Sequence, residues 1–132
     1  MIEEIEHTAD AGIRVTAGDI HELFHDAAIG MLRLICEDDK SQANQSLEIN
    51  IKANSIEKLL IKFLSEVLFI VQDKYFNPRE VEIVQIKNRH LKAIVYMNNN
   101  HTQIAEIKNV TYHNFKLEET DDGWLCEIIF DL

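Results

Sequence analysis

Residues 21–25 read HELFH, which matches the H-E-x-x-H pattern of zinc metallopeptidases. In that pattern, two histidines one helical turn apart bind zinc, and the glutamate between them acts as general base. An extended form of the pattern continues with a glycine and a third histidine, but this chain has alanine and methionine at those positions. A five-residue match alone is weak support for an enzyme. A zinc hydrolase that uses His21, Glu22 and His25 is therefore the least favoured alternative.

The same residues also fit a structural role in a helix. Apolar side chains recur at helical spacing from residue 20 to residue 34, so HELFH lies within a predicted amphipathic helix. Asp19 is suited to cap that helix, and Glu22 takes the third position, where its carboxylate is expected to bond the N–H of the cap. This role needs no metal and leaves the two histidines on the flank of the helix.

A second group of candidates consists of carboxylates. His7-Thr8-Ala9-Asp10 lies in the bend between two strand patterns, and a carboxylate at such a turn can bind a hard cation or act as a catalytic acid. The chain ends in Asp131 and Leu132 directly after an apolar strand pattern, which brings the side-chain and terminal carboxylates close together. Two adjacent carboxylates repel each other unless a cation lies between them, and oxygen ligands favour Ca²⁺, Mg²⁺ or Mn²⁺ over zinc.

Each of these candidates also has an ordinary structural explanation. Asp10 can accept hydrogen bonds from backbone N–H groups within its turn, and chemistry alone favours this structural role over a cation site or a catalytic acid. A chain terminus in water screens the repulsion between its carboxylates. Lys108, in the segment KNVTYH, is either a surface charge or a contact for an anion. Spacing alone does not decide between these alternatives.

The periodicity of apolar residues predicts an α+β protein in which two amphipathic helices pack on one mostly antiparallel sheet. The first helix is predicted from Asp19 to about Cys36. The second follows Asn54, its predicted cap, and ends before Asn77-Pro78. Alternation and turn signals predict strands at residues 2–6, 12–17, 47–52, 81–86, 91–97, 107–112, 115–119 and 124–130. Residues 1–132 are expected to form a single domain.

The chain carries a formal net charge of −10, from 23 acidic and 13 basic side chains. Such a surface repels phosphate backbones, which argues against tight direct binding to nucleic acid. A basic protein partner or a divalent cation fits this charge better, although the need for solubility also accounts for it.

The cysteines and the apolar segments indicate the compartment. Cys36 and Cys126 form no metal-binding pair, and their apolar neighbours predict buried, reduced thiols. The richest apolar stretch, residues 56–71, is interrupted by charged side chains, so no membrane span is expected. The acidic first residues do not resemble a signal peptide. A cytoplasmic protein is the default expectation.

Several motifs, taken in order, resemble the archease family. They are HTAD-x-GIRV at residues 7–15, D-x-x-ELF at 19–24, F-x-PRE at 76–80, KNVTYH at 108–113 and the terminal FDL. The resemblance covers nearly the whole chain, and the combination of HTAD, TYH and a terminal aspartate is specific. Two departures are Ala11, where a larger aliphatic residue is expected, and Asn109, where alanine is usual.

The resemblance implies a function as well as a fold. Archeases are protein cofactors of the tRNA-splicing RNA ligase, a GTP- and Mn²⁺-dependent enzyme, and they promote its guanylylation and repeated turnover. This chain would then be a non-enzymatic activator of that ligase. The alternative from a different class is a general chaperone or modulator of other RNA- or DNA-modifying enzymes.

The resemblance also implies the site. A divalent cation, Ca²⁺, Mg²⁺ or Mn²⁺, would be bound by Asp10, Asp131 and the terminal carboxylate of Leu132. Lys108 and His7 would contact the partner or its nucleotide. This site can exist only if the bend after the first strand and the last two residues of the chain meet in space.

Overall fold

The structure is a computed structural model that describes residues 1–7 and 10–132, with the backbone alone described for Glu6 and His7. The described residues form two helices, α1 (Ile20–Ile35) and α2 (Ile56–Gln72). The strands, in chain order, are β1 (Ile2–His7), β2 (Asp10–Ala17), β3 (Gln45–Lys52), β4 (Asn77–Lys87), β5 (His90–Asn98), β6 (Asn109–Val110), β7 (Lys116–Thr120) and β8 (Gly123–Asp131).

These strands form two antiparallel sheets. In the large sheet the order is β1-β2-β8-β6, and β7 also pairs with β8; in the small sheet the order is β3-β5-β4. The predicted α+β class is confirmed, but the prediction of one sheet is wrong. Alternation along a strand shows which side chains are buried, whereas it does not show which strand is the neighbour.

The helices connect the two sheets through one hydrophobic core. α1 packs against β2 of the large sheet and β4 of the small sheet, and α2 packs against α1, β3, β4 and β5. Phe24 of α1 and Phe63 of α2 are fully buried, and their rings stack with centroids 6.0 Å apart. Because a single buried cluster contains residues of both helices and both sheets, the fold holds the two sheets in a fixed relation.

The N-terminus of each helix is capped, although neither cap matches its prediction fully. Asp19 accepts a hydrogen bond from the N–H of Glu22 at 2.8 Å, as predicted. The carboxylate of Glu22 reaches the N–H of Gly18 at 3.2 Å, and not that of the cap itself. Ser55, and not Asn54, caps α2 by accepting from the N–H of Lys58 at 3.2 Å. Asn and Ser are both favourable N-cap residues, so the sequence alone does not decide which of these two adjacent residues caps the helix.

The hairpin of β4 and β5 forms where the sequence predicts it. Asn88 and Arg89 lie in its turn with φ values of 54° and 60°. Two successive left-handed residues are typical of the tight turn that matches the twist of antiparallel strands. β6 is shorter than predicted. It has two residues, Asn109 and Val110, whereas the sequence predicts a strand over residues 107–112.

Two buried asparagines, Asn77 and Asn98, connect β4, β5 and the loop before β3. Their side chains are bonded to each other at 3.1 Å. The Asn98 amide also donates to the hydroxyl of Ser41, and the Asn77 amide donates to the carboxylate of Asp39. Hydrogen bonds from the side chain and backbone of Ser41 lower the pKa of Asp39 to about 2, so this acceptor is ionised at neutral pH.

Asn77→Ala is expected to lower the free energy of unfolding by about 2 kcal/mol, because it removes the buried hydrogen bonds that the Asn77 side chain donates to Asn98 and Asp39 and accepts from Thr102. The measurement is urea unfolding followed by circular dichroism. Asn99→Ala is the matched control, since Asn99 is exposed and its side chain accepts a hydrogen bond from the amide of Gln45, which is exposed as well. Equal destabilisation by both variants would contradict a structural role for the buried pair.

Neither described helix has the length and continuous apolar character that a bilayer span requires.

Candidate functional site

One end of the large sheet brings the two candidate aspartates together. In the Cα register, Asp10 of β2 lies directly opposite Asp131 of β8. Asp131 in turn lies opposite Asn109 of β6, and the backbone of His7 in β1 lies opposite Asp10. These four residues therefore form one row across the neighbouring strands β1, β2, β8 and β6. In this row, residues near the start of the sequence lie beside a residue near its end.

Asp10 and Asp131 share the sheet face that points away from the helices. Ile13 in β2 and Phe130 in β8 are fully buried on the face that packs against the helices. Side chains alternate between the two faces of a strand. Asp10 lies three positions from Ile13 and Asp131 one position from Phe130, so both aspartates point to the outward face. Directly opposed residues have Cβ atoms about 4.5–5.5 Å apart. Asp10 is half-buried and Asp131 is exposed. We call these two side chains the carboxylate pair.

Gly12 sets how closely β2 and β8 approach beside the carboxylate pair. Gly12 lies opposite Ile129, whose side chain is only 4% exposed although it is on the outward face. A Cβ atom at Gly12 would lie 2.7 Å from Cδ1 of Ile129 and 2.9 Å from the carbonyl oxygen of Ile128. Such contacts are too short for carbon, so the glycine allows Ile129 to cover the backbone next to the site.

Lys108 and Leu132 lie at the same end of the sheet. The backbone N–H of Lys108 donates to the carbonyl oxygen of Asp131 at 2.7 Å. Leu132 follows as the last residue and is 40% exposed. Thr8 and Ala9 of the HTAD motif lie outside the described residues, as does the side chain of His7. Among the described candidates, Asp10, Asp131, Leu132 and the backbone of Lys108 therefore lie at one end of the large sheet, whereas their role in a site stays a prediction.

The donor atoms at this end of the sheet suit a hard divalent cation. They are the oxygens of the carboxylate pair and the side-chain amide oxygen of Asn109 in the same row. Oxygen ligands of this kind are those of Ca²⁺ and Mg²⁺. Over residues 1–7 and 10–132, so far as they are described, no three His, Cys, Asp or Glu side chains cluster in a way that could bind a metal. The fit therefore depends on the amide of Asn109 as well as on the two aspartates.

Asn109 is the residue that sequence analysis missed. In the sequence Asn109 stands out only as a departure from the family pattern, because nothing local in KNVTYH indicates that its partner across the sheet is Asp131. Strand pairing over 22 positions of sequence is a property of the assembled sheet.

The HELFH segment does not form a zinc site in the described part of the chain. Glu22 is bonded to the N–H of Gly18, and Nδ1 of His25 lies 2.8 Å from a carboxylate oxygen of Asp26. His21 and Glu22 are exposed on the surface of α1. These contacts support the interpretation of HELFH as a helix start.

The cysteines differ in burial. Cys126 is fully buried in β8, and burial raises the pKa of its thiol to about 12. Cys36 at the end of α1 is only half-buried, contrary to expectation, and burial also raises the pKa of its thiol. Both thiols are free and stay protonated at neutral pH, so neither has the thiolate character of a metal ligand or a nucleophile.

Solved structures share this fold. The solution structure of protein 1598 from Methanobacterium thermoautotrophicum matches with a TM-score of 0.79 at 26% sequence identity, covering 99% of this chain and 98% of that one. A crystal structure described as an archease, possible chaperone, from Thermotoga maritima matches with a TM-score of 0.69 at 21% identity, over 100% of this chain and 98% of that one. The class is thus a small α+β protein with two antiparallel sheets around two helices.

The sequence comparisons give the family. The model of the archease protein family matches residues 2–132, and this chain belongs to that family. Protein archease of Pyrococcus abyssi is 33% identical over 138 residues, 98% of this chain and 97% of its own length. Protein archease of Methanopyrus kandleri is 33% identical over 137 residues, with 98% of both chains covered.

The chain is thus a member of the archease family, and the matching relatives carry the name of that family. Family membership supports a role as a protein cofactor or chaperone-like helper. Neither the family model nor these relatives give support to a zinc hydrolase that uses His21, Glu22 and His25.

Proposed function

We propose that this protein activates the GTP- and Mn²⁺-dependent tRNA-splicing RNA ligase, promoting its guanylylation and its repeated turnover. The carboxylate pair would form the core of a divalent-cation site that the activator brings to the ligase. The single observation that carries this proposal is the register in which Asp10 lies opposite Asp131. Family membership over residues 2–132 supports the identity of the partner.

The chemistry of the pair explains why a cation is expected there. Two carboxylates directly opposed across a sheet place several oxygen ligands close together, and carboxylate oxygens are the ligands that hard divalent cations prefer. When bound, a divalent cation neutralises the pair and leaves coordination positions for an oxygen ligand from outside. The exposure of Asp131 makes that position accessible to a partner.

Lys108 would act beside the cation. Its backbone is bonded to Asp131, so its side chain starts within one residue of the pair, and it is exposed. An ammonium group at this position would contact a phosphate or a carboxylate of the ligase complex. The net charge of −10 agrees with this arrangement, because an acidic helper is attracted to a ligase whose RNA-binding cleft is basic.

The direct test is a ligation assay with limiting ligase, Mn²⁺ and GTP, and an excess of RNA ends, with and without this protein. The ligase alone is expected to join little more than one set of ends per enzyme. With this protein present, the number of joined ends should rise to many per ligase. An unchanged yield would overturn the proposal.

Cation binding has its own test, independent of the ligase. Millimolar Ca²⁺, Mg²⁺ or Mn²⁺ should raise the midpoint of thermal unfolding relative to EDTA, because an ion that binds only the folded state adds about 2.7 kcal/mol at a hundredfold excess over its dissociation constant. Asp131→Asn should abolish this shift. In EDTA the same variant should stay folded with a stability close to that of wild type, since Asp131 is exposed. A wild-type shift that survives in Asp131→Asn would place the ion elsewhere.

The second candidate is a general chaperone or modulator, which the description of the Thermotoga maritima relative as a possible chaperone favours. An affinity pull-down from cell extract distinguishes the two functions. The ligase should be the dominant partner if the first holds, whereas many unrelated proteins at similar abundance would favour the second.

A further inference from the structure

Basic side chains concentrate at one part of this acidic molecule. Of the 13 lysines and arginines, six lie where β3 joins α2 or at the β4–β5 turn with its flanking residues. These six are Lys52, Lys58, Lys62, Lys87, Arg89 and Lys92. The two regions adjoin, because Lys52 lies opposite His90 in the small sheet and Arg89 donates to the carbonyl oxygen of Asn54 at 3.0 Å.

Three of these lysines line an open cavity of about 390 Å³. We call it the lysine groove; its lining residues are Lys52, Ala53, Asn54, Lys58, Ile61, Lys62 and Tyr112. No acidic side chain is among these lining residues. The volume is within the range of about 300–1,000 Å³ typical of pockets for small ligands.

The charge of the lysine groove is not neutralised within the described chain. Nζ of Lys62 donates to the carbonyl oxygen of Lys52 at 3.2 Å, a contact with a neutral group that leaves its charge unpaired. The ion pairs found among the described side chains include none of Lys52, Lys58 and Lys62. By contrast, Lys92 outside the groove is paired with Glu48 at 3.1 Å. The three groove lysines are therefore available to an external anion.

Tyr112 adds an aromatic surface to this charge. Its ring meets Phe115 edge-to-face, with centroids 5.8 Å apart and an interplanar angle of 76°. Tyr112 is nevertheless 54% exposed. The contact with Phe115 holds the ring in place, while the exposed part can stack with a planar group.

We propose that the lysine groove binds a phosphate-bearing nucleotide unit, with the lysines contacting phosphate and Tyr112 stacking on the base. Positive side chains beside an exposed aromatic ring are the combination that single-stranded nucleic acids and nucleotides use. An acidic protein segment would need the lysines alone and would leave the ring without a role. The net charge of −10 repels a long polyanion, so the ligand is either a free nucleotide or a short single-stranded RNA end.

The lysine groove lies near the carboxylate pair without overlapping it. Tyr112 follows Asn109 by three residues, and Asn109 lies opposite Asp131. Three extended residues span at most about 11 Å. Nucleotide binding in the groove is independent of any cation at the pair, so it can be tested in EDTA on the protein alone.

The test is a titration followed by ¹H–¹⁵N NMR in EDTA, with three probes: adenosine diphosphate, a five-nucleotide single-stranded RNA with a terminal phosphate, and inorganic phosphate. Shifts confined to the groove residues and their neighbours are expected with the nucleotide, the RNA or both, and inorganic phosphate should bind at least tenfold more weakly. Binding of the nucleotide but not the RNA identifies the free nucleotide as the ligand, and the reverse identifies a strand end.

Two pairs of variants separate this proposal from non-specific charge effects. Lys58→Glu should weaken binding at least tenfold, whereas Lys74→Glu, which makes the same charge change beyond the opposite end of α2, should leave it nearly unchanged. Tyr112→Ala should weaken binding several-fold, whereas Tyr112→Phe keeps a ring and should retain it. Circular dichroism checks that each variant is folded.

Three outcomes would overturn the proposal. The first is the absence of groove shifts with nucleotide and RNA at millimolar concentration. The second is equal weakening by Lys58→Glu and Lys74→Glu, which would indicate only long-range charge. The third is binding of a hexaglutamate peptide as tightly as nucleotide with no effect of Tyr112→Ala, which would assign the groove to an acidic protein segment. None of these results bears on the ligation assay, so the two proposals fail separately.

Discussion

Asp131→Asn is expected to reduce the stimulation of ligase turnover to the level of the ligase alone, while the protein remains folded. Asp131 is exposed and lies at the end of β8, so the substitution removes a charge without disturbing the core. It halves the formal charge of the carboxylate pair, and a single carboxylate with an amide binds divalent cations far more weakly than two carboxylates do. Ligated RNA ends per ligase molecule are the quantity to measure.

Asp122→Asn is the matched control for this prediction. Asp122 lies in the exposed turn between β7 and β8, and its replacement makes the same change in net charge. It should retain full stimulation. Asp10→Asn should behave as Asp131→Asn does, because both aspartates belong to the pair. If Asp131→Asn supports wild-type turnover, the pair is not the functional site, whatever the ligase assay shows for the native protein.

The helices were predictable because their signal is local. Apolar residues spaced at helical intervals identify α1 and α2, and Asp19 caps the first helix as its position suggested. The division of the strands into two sheets was not predictable in this way. β3, β4 and β5 alternate like the strands of the large sheet, and only their packing on α1 and α2 separates them from it.

The site was predictable only in part, for a related reason. Asp10 and Asp131 are 121 positions apart, and their chemistry alone gave no ground for joining them; the resemblance of the motifs did. The register now shows that these residues are neighbours, whereas cation binding stays a prediction. Asn109 could not have been chosen from sequence, because its place beside Asp131 depends on the pairing of a two-residue strand.

The second large effect concerns the spacing of the strands beneath the site. Gly12→Val is expected to lower the free energy of unfolding by about 3 kcal/mol, because its Cβ would lie 2.7 Å from Cδ1 of Ile129 and 2.9 Å from the oxygen of Ile128. The side chain of Ile129 can rotate away, but the carbonyl oxygen belongs to the β2–β8 ladder and cannot move without separating the strands. Urea unfolding measures the loss.

Gly18→Val provides the control, since a Cβ at Gly18 would have Glu22 Oε2 at 3.6 Å as its nearest neighbour. Neither Gly12 nor Gly18 has a positive φ, so any difference between the variants reflects packing and not backbone strain. Gly18→Val should change stability by less than about 0.5 kcal/mol. Because Asp10 and Gly12 belong to one strand, widening the ladder at Gly12 should also misalign the carboxylate pair. The cation-dependent rise in thermal stability should therefore shrink in Gly12→Val and persist in Gly18→Val; equal responses would mean that the strand spacing does not position the pair.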